Sequence, residues 1–474
     1  MITLIEAKNY RCLYYVRQRL APFQALVGPN ASGKTTFLDV VYFLGDLVSE
    51  GPLAAIGKRT KNFQDLLWWG TGEGFEPAVE AAIPEKMRKL LHNPGYETVR
   101  YEVALKLDQD SHEISIRTEK VLLKKADSEP MIIQRSLFPV TMDPPDTIIT
   151  SARLKGTMVI VNKVPDGNDN FYSEVYREKG KGWTPSFKLG PQKSALANLP
   201  ADESKFPVTS WLKNLLTENV TQLVLNSLLI RKASPPGQGR NFKADGSNLP
   251  WVIDHLKTTD GERFANWISH LRTALQELKD IRTVEREDDR RRYLMLEYAG
   301  GLKVPSWMAS DGTLRLMALS IIAYRPNFSG IYLIEEPENG IHPRAVDTMF
   351  QSLSSVYDAQ ILVATHSPVV LSLVEPANVL CFAKTAQGAV DIVTGDTHPA
   401  LRDWKGEANL GVLFAGGCWD EHTTGHWDAG KFVNQIFIRY ALIAATCVNN
   451  SELLVAANDR HYRHIPPIQK FMPI

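Results

Sequence analysis

Eight residues, Gly28-Pro-Asn-Ala-Ser-Gly-Lys-Thr35, constrain this chain more than any other stretch. They fit the spacing G-x-x-x-x-G-K-[ST] and stand in the context that spacing requires. An apolar run at 23–27 reads as a short buried strand before them, and Thr36 and the apolar residues after it open a helix behind. The residue types suit one chemistry. Gly28 and Gly33 let the backbone turn its N–H groups inward, and the start of the helix adds the positive end of its dipole. Asn30, Ser32 and Thr36 belong to the same cradle. Lys34 supplies a mobile cation for β- and γ-phosphates, and the Thr35 hydroxyl is a ligand suited to Mg²⁺. The stretch implies a bound nucleoside triphosphate, with ATP and Mg²⁺ as the expected cofactors.

Composition excludes several classes. The 474 residues hold 53 Lys+Arg against 53 Asp+Glu, a formal net charge of zero. Any nucleic-acid contact must therefore come from a local patch. Four cysteines, Cys12, Cys381, Cys418 and Cys447, form no C-x-x-C pair, so neither a disulfide framework nor a zinc ribbon is indicated. No basic-then-apolar leader opens the chain, and the longest apolar runs fall short of a membrane span. A cytoplasmic setting without membrane contact is expected.

Two strands are expected at 2–6 and 12–16, forming with 23–27 a small β lobe. Arg11 between them can contact the nucleotide or simply pack a strand pair. Residues 51–74 read as a glycine-rich loop, 78–83, 99–107 and 113–124 as strands, and Asp166-Gly-Asn-Asp169 as a hairpin turn. Helical periodicity is expected at 209–231 and 248–281, for example at Trp267, Leu271, Leu275 and Leu278. The charge run Glu285–Arg292 reads as a solvated turn before a strand at 293–298, in preference to a nucleic-acid contact.

An apolar strand at 331–334 ends in Glu335-Glu336. Paired acids at the end of a buried strand are costly unless they have work to do. Beside a phosphate loop, Glu335 would hold Mg²⁺ and Glu336 would polarise the attacking water. A further strand at 360–364 ends in Thr365-His366-Ser367-Pro368, placing His366 where it can sense a γ-phosphate. Ser310-Asp311-Gly312 precedes a helix at 314–324. Alone it is a capping turn; in this order its hydroxyl and N–H groups suit a phosphate held by another subunit.

Phosphate loop, Ser310-Asp-Gly-Thr313, the carboxylate strand and Ala364-Thr-His-Ser-Pro368, in that order, resemble the ABC-type ATPase head of RecF-like proteins and of the overcoming-lysogenization-defect family. The entry Asn9-Tyr-Arg-Cys-Leu13 is similar too, and the likeness covers residues 1 to about 415. It implies an α/β fold: a P-loop ABC-type ATPase head with a mixed β lobe and RecA-like parallel sheet, plus an inserted β/helical lobe. The expected divisions are 1–125 and 291–415 for the two ATPase lobes, 126–290 for the insertion, and 416–474 for a tail without assigned role. The resemblance also implies a homodimer sandwiching ATP, with Ser310, Asp311 and Gly312 acting in trans. Glu335 stands where the family usually carries Asp, and Gln64 is the candidate for the glutamine that links Mg²⁺ to the helical lobe. No Glu-then-Asp-x-Asp pattern follows Pro368, so a nuclease site in the same chain is not expected. In the tail, Asp420 to Asp428 beside Cys418 matches no established zinc spacing and reads as a solvated segment. The function implied is a switch ATPase controlling a separate, nuclease-like effector in defence against phage or plasmids. The alternatives are a RecF-type repair clamp on DNA and a nucleotide-locked scaffold.

Overall fold

A computed structural model describes residues 1–399 apart from 109–112, 126–136, 152–153, 177–184, 240 and 327. The expected tail, with Cys418, His426 and Cys447, lies outside the described residues. The core sheet has six strands in the order Val220–Leu223, Gly330–Glu335, Ala359–Ala364, Phe23–Val27, Val379–Lys384 and Val390–Thr394. The first five run parallel and the last pairs antiparallel. Side chains alternate between two cores along these strands. Leu26, Leu333 and Leu362 face one, which holds the helix Lys34–Glu50, while Ala25, Val27, Ile334, Ile361 and Val363 face the other. A sheet covered on both faces needs apolar residues at nearly every position, which is how these strands read.

The first core is closed by an eight-stranded antiparallel sheet, in the order Leu13–Arg19, Ile2–Tyr10, Gly74–Ala82, Tyr96–Leu107, Ile114–Lys125, Thr157–Lys163, Asp169–Phe171 and Ser186–Phe187. The second is closed by the helices Leu249–Thr259, Gly261–Ala274, Asp311–Ser320 and Pro343–Ser354. Trp267, fully buried there, donates its indole N–H to Ser320 Oγ at 2.9 Å. The Gln360 side chain helps tie the two sheets, bonding both Ile2 N and Ile2 O at 2.8 Å. The fold is α/β: a mostly parallel sheet whose strand Phe23–Val27 leads into the phosphate loop and its helix, with an antiparallel sheet packed beside it. Among the described residues no helix is long and apolar enough to cross a membrane.

Several expectations are corrected. Phe23–Val27 does not join the β lobe; it is a central strand of the parallel sheet. Val220–Leu223, expected within a helix, is the edge strand beside Gly330–Glu335, because β-branched Val220 and Thr221 find a parallel backbone partner there. The helix through Trp267 stops at Ala274, and Leu278 opens a strand, Leu278–Glu285, that pairs antiparallel with Arg292–Tyr298. Leu278 still reaches the same core, from a strand. Residues 51–74 carry the short helical segments Pro52–Gly57, Phe63–Leu66 and Trp68–Gly70. The antiparallel sheet also runs across the expected division at 125/126, since Ile114–Lys125 pairs with Thr157–Lys163.

Candidate functional site

The carboxyl ends of three adjacent parallel strands supply the site. From Phe23–Val27 the chain enters the loop 28–33 and then the helix Lys34–Glu50. The two glycines are required by space as well as by conformation. A Cβ on Gly28 would stand 2.3 Å from the Phe382 carbonyl oxygen, and one on Gly33 would stand 2.6 Å from Val390 Cγ2. Gly33 also has φ +97°, a region where L side chains are strained. Lys34 is folded back into the loop. Its ammonium donates to the carbonyls of Gly28 (2.8 Å) and Pro29 (3.0 Å) and to Ser32 Oγ (3.4 Å). Burial lowers its pKa to about 8, against the opposing pull of Glu336 and Glu335.

Thr35 Oγ1 donates to Glu335 Oε2 at 3.2 Å, across from the end of the strand Gly330–Glu335. The next residue, Glu336, has φ +46°, and its N–H donates to the Ala364 carbonyl at 2.7 Å. A left-handed glutamate is strained, and such strain clusters at functional sites. The Asn339 amide donates to Glu336 Oε2, while His366 Nε2 lies 3.6 Å from Glu336 Oε1. Burial first, then the Lys34 charge, lowers the His366 pKa, with Glu336 and Glu338 opposing. The shift favours the neutral imidazole. Thr365 Oγ1 donates to Glu338 at 2.6 Å and steadies the turn that carries His366.

Asn30, Ser32, Gly33, Lys34, Thr35, Thr36, Glu335, Glu336 and His366 line one cavity of about 310 Å³, together with Cys12, Ala31 and Ala364. A larger cavity of about 1030 Å³, under residues 144–151 on the antiparallel sheet, shares no residue with it. Gly28 contributes its carbonyl to Lys34 without lining the cavity. Arg11 does not line it either. It has φ +51°, and its guanidinium lies 3.6 Å from Asp39, which also takes Tyr10 OH at 2.6 Å and Arg59 at 2.7 Å. Its neighbour Cys12 takes the place at the cavity wall.

Gln64 lies apart from the cavity. It sits in the turn Phe63–Leu66, and its Oε1 is buried without a hydrogen-bond partner among the described residues. The amide beside Glu335 belongs to Gln222, whose Nε2 is 3.4 Å from Glu335 Oε1. Once 220–223 is known as the strand next to Gly330–Glu335, the polar Gln222 near its carboxyl end is the signal that finds it. Asn339 and Glu338 were likewise missed, because an acid-rich turn after a strand gives no hint of which groups turn back.

The residues present fit a hydrated divalent cation. Thr35, Glu335 and the Gln222 amide are oxygen-bearing side chains, as Mg²⁺ prefers. The nearby Tyr42 hydroxyl is buried without a partner among the described residues, and burial, Glu335 and Asp39 all push its pKa up. Among the described residues no cluster of three or more His, Cys, Asp or Glu forms a protein-only metal cage.

Ser310, Asp311 and Gly312 lie outside this cavity. Ser310 caps the helix Asp311–Ser320, accepting from Thr313 N at 3.1 Å. Asp311 pairs with Arg231 at 2.7 Å. A Cβ on Gly312 would stand 2.5 Å from the Gly340 carbonyl oxygen, so the helix packs directly on the turn that follows Glu336.

Residues 165–372 match the family model described as "AAA domain, putative AbiEii toxin, Type IV TA system". The matched stretch is less than half of the chain, starts after the phosphate loop and contains the turn 310–312, the carboxylates and His366. No curated protein matches the chain. Among solved structures, an SMC head bound to the C-terminal winged-helix domain of ScpA is 13% identical with a TM-score of 0.45, over 83% of this chain and 97% of that one. The SMC head domain from Thermotoga maritima is 9% identical with a TM-score of 0.39, over 83% and 98%. An SMC head from Pyrococcus furiosus bound to the C-terminal domain of ScpA is 13% identical with a TM-score of 0.41, over 83% and 96%.

Proposed function

We propose that this protein is a Mg²⁺-dependent ATPase that acts as a switch. Two copies close head to head around ATP, hydrolysis reopens them, and a separate effector reads the state. The observation that carries the reading is the convergence of Lys34, Thr35, Glu335, Glu336 and His366 on one cavity. Lys34 exchanges loop carbonyls for phosphate oxygens, and Thr35 and Glu335 hold the cation. Mg²⁺, when bound, neutralises charge on the β- and γ-phosphates. Glu336, steadied by Asn339, accepts a proton from water. His366, neutral beside it, offers a hydrogen bond at the γ-phosphate end.

The shared site is supported by placement. None of residues 310–312 lines the cavity of its own subunit, yet Ser310 and Asp311 are exposed. Met308 (71% exposed), Trp307 and Leu228 leave apolar surface beside them, as a contact face requires. The toxin–antitoxin description of the matched model and the family resemblance of the sequence both favour defence against phage or plasmids, with a nuclease-like effector on a separate chain.

The test is sedimentation and ATPase rate with and without ATP, for the full chain and for Ser310→Arg. The reading expects ATP-dependent dimers that Ser310→Arg prevents. Full hydrolysis by monomeric Ser310→Arg would leave a self-contained P-loop ATPase. Mixing this variant with Lys34→Ala restores little activity if the one intact site of a mixed dimer cannot close alone. Identifying what co-purifies with the ATP-bound chain tests the effector.

A further inference from the structure

We infer that Arg231 is a positioning residue that makes the 306–311 turn able to receive a phosphate. This rests on the reading of Ser310 as the group lent to a partner's nucleotide. Arg231 ends the short helix Ser227–Arg231. Its Nε and Nη2 donate to Asp311 Oδ1 at 3.0 and 2.7 Å, and its Nη1 donates to the Trp307 carbonyl at 3.1 Å. In return, Ser306 Oγ donates to the Arg231 carbonyl at 2.9 Å. One residue thus ties both ends of the turn that presents Ser310.

The arrangement resolves a conflict written into three consecutive residues. Asp311 is the first residue of the helix Asp311–Ser320, where a carboxylate stabilises the helix through its dipole. The same carboxylate, with its side chain 58% exposed, sits beside the hydroxyl proposed to meet a polyphosphate. An unneutralised carboxylate roughly 6 Å from a phosphate would weaken docking by about tenfold at a surface-like dielectric once physiological salt screens the pair. Arg231 cancels that charge, and its fork holds the turn rather than merely shielding it. Arg315, one turn along the helix, bonds Ser227 Oγ at 3.3 Å and fixes the start of the short helix that carries Arg231. An ion pair this exposed contributes little to folding stability, so its removal can be read at the interface.

The experiment uses the full chain with Mg²⁺ and ATP, and reads ATP-dependent dimerisation by sedimentation velocity. A parallel titration with fluorescent ATP separates loss of the dimer from loss of nucleotide. Arg231→Ala is expected to weaken dimerisation about tenfold. Adding Asp311→Asn to it removes the stranded charge and is expected to recover most of that loss. Arg231→Lys, which keeps the charge, is expected to fall between wild type and Arg231→Ala, and carries the test if the alanine variant does not fold. Equal loss in Arg231→Ala and in the double variant would reduce Arg231 to a brace and overturn the charge argument. Wild-type dimerisation by Arg231→Ala, with Ser310→Arg still blocked, overturns this inference and leaves the shared site standing. A wild-type chain that stays monomeric in ATP overturns both.

Discussion

Thr35 and Glu335 meet hydroxyl to carboxylate at 3.2 Å although 300 residues separate them in the chain. In the free protein the threonine proton points at the carboxylate. Were Mg²⁺ held here as proposed, Thr35 and Glu335 would supply oxygen lone pairs to it, at the expense of this bond. The Gln222 amide, 3.4 Å from the other carboxylate oxygen, holds Glu335 while that happens. Gln222→Ala should therefore raise the Mg²⁺ concentration giving half-maximal ATPase by roughly 3- to 10-fold, the ordinary net loss for one long, exposed hydrogen bond. Gln64→Ala should leave that midpoint in place. The measurement is ATPase rate against Mg²⁺, and a shift with Gln64 but not Gln222 would reverse the assignment.

Lys34 already spends its ammonium on the loop's own carbonyls, so a triphosphate has only to replace bonds that exist. Lys34→Ala removes the cation of the cradle and should weaken ATP binding roughly 100-fold. Wild-type affinity for a fluorescent ATP would refute the phosphate-loop assignment.

The same lysine makes binding depend on pH. Burial holds it near a pKa of about 8, and a bound polyphosphate raises that value by favouring the charged form. At pH 8 roughly half the lysines must therefore gain a proton on binding, so uptake of about 0.5 proton per ATP is expected. Affinity should fall as pH rises through 8. Calorimetry at pH 8 in buffers of different ionisation enthalpy measures the uptake. Release of protons, or no exchange, would contradict it.

Glu336→Gln should keep ATP binding while lowering turnover about 10²- to 10⁴-fold, because an amide can hold water but cannot accept its proton. Single-turnover hydrolysis is the readout. An unchanged rate would move the catalytic role to Glu335.

What the sequence discloses here follows from where chemistry and geometry coincide. The loop 28–35 needs glycine, lysine and threonine at fixed spacing, so those residues announce the strand before and the helix after. The paired acids and His366 announce themselves by ending apolar strands. Gln222 stayed hidden because Val220–Leu223 is four residues between two helices, and only its pairing with Gly330–Glu335 makes it a strand. Gln64 looked suitable by type and order, yet the hydrogen bond from Arg11 N to the Leu66 carbonyl, 2.8 Å, ties its turn to the β lobe instead. The left-handed Glu336 is equally illegible in sequence. Its backbone is set by the 2.7 Å bond to Ala364, a partner 28 positions away.

Gly312 has no room for even a methyl group against the Gly340 carbonyl oxygen. The stretch from Glu336 to Gly340 is therefore a short link, with the carboxylate proposed to activate water at one end and the face proposed to meet a neighbour at the other. Backbone packed this closely has no slack to absorb a shift. On the proposed function, a shift at Glu336 would reach the helix that begins at Asp311, and pressure on that helix would reach Glu336. Two copies sharing ATP would then not keep separate clocks: each would time its own hydrolysis partly by the state of the other.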